Sequence, residues 1–263
     1  MNLIGKQFDD FHIIQEIARG SRSHIFVCSD GVLIKALKVF TLNNERFAKR
    51  ELELGQNLKH PNINPIESLV KVDGYTSLLM PYIGGKQLSD FYEGSLSEFI
   101  RLFSELLSAI NYLHENNIIH RDIKPDNIII NEKGHIKLID FDLAIRSGQQ
   151  NSKDSVAGTI AYISPEQAFG TAATKASDLY SAGIILYRAI TGEVPFTGTA
   201  TEVTLAHRRV IPLLPSQFSP KLKIFDELIK KILAKDKSNR YQSASEVIKD
   251  LIPLSAYADR VSL

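Results

Sequence analysis

The sequence predicts an α+β protein of two lobes: a small β-rich lobe carrying one major helix, and a larger helical lobe. Three observations lead there. A chain of 263 residues is long for one compact core and suits two lobes that share a cleft. Its first part, up to about residue 80, is made of short apolar runs separated by turn residues. After Gly84-Gly85 the apolar spacing changes to three and four, which is the period of a helix.

Taken in order, residues 11–17, 24–28 and 32–40 read as strands, with Ser29-Asp30-Gly31 as the hairpin signal between the last two. A helix follows over about 44–58 and breaks at His60-Pro61, because the residue before a proline is pushed out of helical backbone. Residues 66–72 and 75–80 read as two more strands joined at Asp73-Gly74, and a short connector lies near 81–85. Leu96, Phe99, Ile100, Phe103, Leu106, Leu107, Ile110 and Leu113 then form one apolar stripe of a long helix. Residues 179–190 are apolar nearly all round, so that helix is expected to be buried. Residues 224–233 and 244–251 are further helical segments, and no repeat or low-complexity tract interrupts the chain.

Composition removes several classes of function. Apolar residues make up 44% and charged residues 23%, as in ordinary globular proteins. A net charge of +1 gives no bulk attraction to nucleic acid or to a membrane surface. No apolar stretch approaches the roughly 18 residues needed to span a bilayer. The N-terminus lacks a basic start followed by an apolar core, so no secretory signal is expected and the expected location is cytoplasmic. The single cysteine, Cys28, sits in the apolar run Ile25-Phe26-Val27-Cys28, where packing is the expected role.

Three parts of the chain carry chemistry. Ala18-Arg19-Gly20-Ser21-Arg22-Ser23-His24-Ile25 joins the first two strands, and small residues there would let backbone N–H groups approach phosphates. A plain hairpin would look much the same, since Gly20 is its one glycine. Lys38 ends Ala36-Leu37-Lys38 in an apolar strand, and Glu51 on the following helix could supply its counter-charge. Lys35 competes with Lys38 for this role. Lys38 is preferred because Leu37, Val39 and Phe40 make its surroundings more buried. The third part is the string His120-Arg121-Asp122-Ile123-Lys124-Pro125-Asp126-Asn127, followed downstream by Leu138-Ile139-Asp140-Phe141-Asp142. Asp122, Asn127 and Asp140 together offer a base and hard oxygen ligands, which suits magnesium shared with phosphates.

In this order the motifs resemble those of the eukaryotic-type protein kinases, in particular bacterial serine/threonine members, over nearly the whole chain. The resemblance implies a kinase domain over 1–263, with an N-lobe at about 8–81, a hinge at 82–85, a C-lobe at 86–253 and a tail at 254–263. It implies that Lys38 holds the α- and β-phosphates of ATP and pairs with Glu51. Asp122 would orient the substrate hydroxyl and accept its proton, and Lys124 would steady the γ-phosphate. Asn127 and Asp140 would bind Mg2+, with Mn2+ as an alternative. Ala18, Gly20 and Ser23 would lie along the phosphates, and Ile25, Ala36 and Ile129 would enclose the adenine. Met80 falls at the gatekeeper position, with Pro81, Tyr82 and Ile83 as the backbone that meets the adenine edge. Ser164-Pro165-Glu166 matches the A-P-E element, Glu166 is expected to pair with Arg240, and Asp178 to hold the catalytic loop. Lys124 and Thr159 match serine/threonine rather than tyrosine kinases, so the implied partner is a protein with Ser or Thr hydroxyls.

Three departures stand out: Ser23 in place of a loop-tip glycine, Asp142 in place of the glycine of D-F-G, and Gly55 one turn after Glu51. Asp142 is expected to tolerate an unusual φ, and Gly55 to leave its helix loose. Arg121 is positioned to grip a phosphate on the segment 143–163, with Ser152 and Ser155 ahead of Ser147 and Thr159 as sites of autophosphorylation, which would need self-association. An unmodified loop, rich in serine as loops are, is the competing reading. A kinase-fold scaffold with weak or no phosphotransfer is the alternative to an active enzyme.

Overall fold

A computed structural model describes residues 1–90, 94–149 and 160–258. Six strands form one antiparallel sheet: β1 (Gln7–Phe8), β2 (Phe11–Arg19), β3 (Ser23–Ser29), β4 (Ile34–Phe40), β5 (Ser68–Val72) and β6 (Tyr75–Pro81). Their spatial order is β1-β2-β3-β4-β6-β5. Alternation along β4 explains how the sheet is filled. Leu37 and Val39 join Phe8, Ile13, Phe26 and Cys28 in one cluster. Phe40 belongs to a second cluster with Phe47, Ala48, Ile66 and Leu78, under helix α1 (Glu45–Gly55). Cys28 is fully buried, and burial pushes its thiol up to about 11, so packing is its role here.

Two local expectations change. The third strand begins at Ile34 rather than at 32, because Asp30 Oδ1 accepts from the backbone N–H groups of Val32 and Leu33 at 2.8 and 2.7 Å and holds them in a turn. Gly55 does not leave α1 loose. A Cβ there would come within 2.6 Å of Ile66 Cδ1, so Ile66 already fills the space that a larger side chain would take.

The larger lobe is built on α2 (Leu96–Glu115) and α4 (Lys175–Thr191). All eight residues of the stripe read from the sequence are buried on α2, and Ser95 caps the helix by accepting from the Glu98 N–H. Helix α4 is buried all round from Ala176 to Ile190 apart from Arg188. Around them lie α3 (Pro165–Ala168), α5 (Ala200–Arg209), α6 (Asp226–Ile232) and α7 (Ala244–Ala258). Helix α7 outruns its expected end at 251 and continues through Pro253, where the neighbouring Ile252 is exposed and solvent can meet the broken backbone bond.

Short strands line the junction of the lobes. β7 (Gly85–Gln87), β9 (Ile128–Asn131) and β10 (Ile136–Leu138) form one small sheet in the order β10-β9-β7, and β8 (Ile118–Ile119) pairs with β11 (Ile145–Arg146). Gly85 makes β7 possible: its φ is 142°, and a Cβ would sit 2.0 Å from the Ile130 carbonyl oxygen. Among the described residues no helix is long and apolar enough to cross a membrane.

Candidate active site

The cleft between the lobes brings together residues from five separate stretches of chain. Lys38 projects from β4, and its ammonium donates to both carboxylate oxygens of Glu51 on α1, at 2.9 and 2.7 Å. It also donates to Asp140 Oδ1 at 2.7 Å. Lys38 and Glu51 are 4% and 1% exposed, so this ion pair is desolvated and held by hydrogen bonds on both sides. Lys35, the competitor, points the other way and pairs with Glu67.

Burial alone would lower the Lys38 pKa, but Asp140 and Glu51 outweigh it, and the ammonium is held well above its usual range. Burial pushes the Glu51 carboxyl up to about 7, against the pull of Lys38. Burial works in the same direction on Asp140, yet there Lys38 prevails and the carboxyl falls to about 2. Asp140 is therefore ionised at any physiological pH.

Residues 120–127 form a loop after β8. Lys124 Nζ meets Asp122 Oδ2 at 2.8 Å. The Asn127 amide donates to the Asp122 carboxylate and carbonyl, both at 2.9 Å, which leaves the Asn127 amide oxygen for a cation. Asp178 on α4 holds this loop from below. One of its carboxylate oxygens accepts from the His120 N–H at 2.9 Å and from His114 Nε2 at 2.9 Å; the other accepts from the Arg121 N–H at 2.7 Å. Arg121 and Asp140 both adopt left-handed backbone, with φ of 70° and 67°. Such conformations persist only where surrounding bonds over-determine them. The unusual φ therefore falls on Asp140 and not, as expected, on Asp142. The position of the missing glycine does not need one.

A cavity of about 430 Å³ opens beside these groups. Ala18, Ile25, Ala36 and Ile129 line its apolar part, Met80, Pro81, Tyr82 and Ile83 its back, and Lys38, Glu51, Lys124, Asn127 and Asp140 its polar end. Gly20 and Ser23 are not among the lining residues. The Gly20 N–H donates to the Ser23 carbonyl at 2.8 Å, so Ser23 starts β3 and the loop tip is Ser21-Arg22. Pro81 has no N–H, so a backbone donor at this edge comes from 82 or 83.

Sequence reasoning missed several contributors. Ile17, Asn64, Gln87 and Ile139 also line the cavity. Asn64 donates to the Pro81 carbonyl at 3.1 Å and Gln87 to the Asp126 carbonyl at 3.1 Å, so both fix the connector. Ile17 could have been found, since it adjoins Ala18 at a strand end. Asn64 and Gln87 carried no signal beyond being polar. Glu166 and Arg240 do pair, bidentately at 2.8 and 2.9 Å. Ser152, Ser155 and Thr159 lie outside the described residues. Ser147 is exposed beyond β11.

Among the described residues no group of three or more His, Cys, Asp or Glu is arranged to hold a metal by itself. One ionised carboxylate and one amide oxygen suit a hard cation that shares its ligands with phosphates.

The family described as "Protein kinase domain" matches residues 11–251. The chain is 34% identical over 277 residues to the serine/threonine-protein kinase PrkC of Bacillus subtilis, covering 99% of this chain and 43% of that protein. It is 32% identical over 267 residues to a probable serine/threonine-protein kinase PknB of Lactococcus lactis, covering 94% and 42%. Against the serine/threonine-protein kinase PknB of Mycobacterium tuberculosis the identity is 33% over 266 residues, covering 93% and 42%. The chain thus spans less than half the length of each of these relatives.

Proposed function

The chain belongs to the protein kinase domain family, and we propose that it is an ATP-dependent serine/threonine protein kinase that transfers the γ-phosphate of ATP to Ser and Thr hydroxyls of proteins. The observation that carries this is the buried Lys38–Glu51 pair, joined by Asp140, which lines one cavity with Lys124 and Asn127, the two residues bonded to Asp122. Lys38 is the cation for the α- and β-phosphates, fixed by Glu51. Asp122 accepts the proton of the acceptor hydroxyl, and Lys124 supports the transferred phosphoryl group. Asn127 and Asp140 would hold the cation, which we take to be magnesium with manganese as the alternative. When bound, it neutralises phosphate charge. Ile25, Ala36 and Ile129 enclose the adenine, with residues 81–83 along its edge and Met80 behind it. The small lobe then runs over about 8–81, the hinge over 82–85 and the large lobe over 86–253.

We further take the protein to phosphorylate its own segment 143–163 in a second copy. Arg121 supports this: it is 4% exposed, its Nε has no partner among the described residues, and Arg50 lies close enough to lower its pKa after burial has done so. Two cations drawn together favour an anion between them. A scaffold without phosphotransfer has nothing specific in its favour, because Lys38, Glu51, Asp122, Asn127 and Asp140 are all in bonded positions.

The test is incubation with Mg2+, labelled ATP and a generic basic protein, beside Asp122→Asn. Transfer by the wild type that falls at least about 10²-fold in the variant is expected, given the usual worth of a positioned base. Failure of the wild type to label either itself or the protein overturns the reading.

A further inference from the structure

The residue standing where the family has a glycine makes a contact that no glycine could make. Asp142 Oδ2 accepts from Arg22 Nη1 at 2.8 Å, a bond between residues 120 positions apart. Arg22 is at the tip of the turn that joins β2 to β3, and Asp142 lies two residues beyond Asp140, which lines the polar end of the cavity. Both side chains keep about a fifth of their exposure, 19% and 21%.

Each end of this ion pair is itself fastened. The Arg22 carbonyl accepts from the backbone N–H of Thr41 at 2.9 Å and from its hydroxyl at 3.2 Å, which ties the turn to the end of β4. The Arg22 guanidinium lies 4.6 Å from the centre of the Phe47 ring on α1. On the other side, the Asp142 N–H donates to Asp140 Oδ1 at 3.1 Å, and the Asp142 carbonyl accepts from Arg50 on α1. Arg50 is the neighbour of Glu51. One ion pair therefore joins the loop tip, the segment that carries Asp140 and the helix that carries Glu51.

Resting on the kinase reading above, we infer that Arg22 and Asp142 form a clasp that positions the phosphate loop over the polar end of the cleft and slows the release of nucleotide. With glycine at 142 this ion pair would be lost, and closure would depend more on the nucleotide. With Asp142 the ion pair favours the closed arrangement independently of the nucleotide, so less ordering is left to the binding step. Arg22 and Asp142 are positioning residues: they act on the nucleotide through the loop.

The experiment is ADP binding and release by the whole chain, followed by a fluorescent ADP analogue in stopped flow with Mg2+ present. Asp142→Asn and Asp142→Gly are each expected to speed release about fivefold, the size of effect that a partly exposed ion pair supports. Arg22→Asp should do the same, and Arg22→Asp combined with Asp142→Arg should return release to within about twofold of wild type. The difference between wild type and Asp142→Asn should also shrink in 1 M salt, where the Debye length is about 3 Å. A merely structural role for Asp142 would not be rescued by the exchanged pair or screened by salt. The near-isosteric Asp142→Asn keeps the test informative if a charge reversal fails to fold. Unchanged release in Asp142→Asn and Asp142→Gly, or no recovery in the exchanged pair, overturns the clasp while leaving the kinase reading in place. Failure of the wild type to bind ADP would remove the kinase reading and the clasp with it.

Discussion

Replacing Arg240 by alanine should unfold this protein well below its normal temperature, although Arg240 lies far from the cleft. Arg240 is 2% exposed and Glu166 7%. Its guanidinium makes two bonds to the Glu166 carboxylate at 2.8 and 2.9 Å. Three more bonds satisfy the carbonyls of Ala234 at 2.6 Å, Lys235 at 2.9 Å and Ala176 at 3.3 Å. Arg240→Ala leaves the Glu166 carboxylate buried with the Ser177 hydroxyl, 2.5 Å away, as its side-chain partner, and takes a donor from all three carbonyls. Removing one member of a buried pair costs about 3–5 kcal/mol. In a chain of this length each kcal/mol lowers Tm by roughly 2–4 °C, so a fall of about 6–20 °C is expected. Urea and thermal unfolding of wild type and variant give both numbers. The pair also sets a pH signature. Burial opposes it, but Arg240 holds the Glu166 carboxyl below its usual 4.5. A lowered carboxyl pKa contributes stability that is present above 4.5 and lost as pH falls through the folded value, so the gap between wild type and variant should narrow below pH 4.5. A Tm loss under 3 °C, or a gap that does not depend on pH, would refute this account.

Two further outcomes are expected. His207 on α5 is fully buried, with Nδ1 3.1 Å from the Tyr180 hydroxyl and Nε2 3.1 Å from the Ala161 carbonyl, and burial lowers its pKa to about 4. A histidine with a depressed pKa adds stability above 6.5 and loses it as pH falls, here by about 3 kcal/mol between pH 7 and 4. His207→Gln should flatten that part of the urea-unfolding profile; an unchanged profile would contradict it. Gly55→Ala should destabilise by about 1–3 kcal/mol, despite the better helix propensity of alanine, because its Cβ would meet Ile66 at 2.6 Å. A stabilised Gly55→Ala protein would mean that Ile66 moves aside freely.

Much of this was legible along the chain, and the reason is local. The stripe from Leu96 to Leu113 has the period of one helix face, so α2 could be placed before any contact was known. The string from His120 to Asn127 carries its roles within eight residues, and the structure brings Asp122, Lys124 and Asn127 into one set of bonds. Lys38 and Glu51 lie 13 positions apart on successive elements, close enough for the pairing to be guessed. What stayed hidden depends on tertiary approach. Arg22 and Asp142 look unremarkable singly, and only folding brings them together. Gly55 read as a missing side chain because Ile66, which fills its place, comes from a different stretch. Asn64 supports residue 81 by one hydrogen bond from its side-chain amide, which no periodicity encodes.

The left-handed backbone at Arg121 and Asp140 bears on anyone who would engineer this domain. A left-handed residue costs an L-amino acid about 1–2 kcal/mol, which glycine avoids. A search for stabilising substitutions that scores backbone compatibility would therefore rank glycine highly at both positions. It would be correct about the fold, and would delete the arginine beside Asp122, the proposed base, and the aspartate that Lys38 holds. Stability and chemistry pull these two positions in opposite directions, so a thermostable version of this domain should be sought with residues 121 and 140 left as they are.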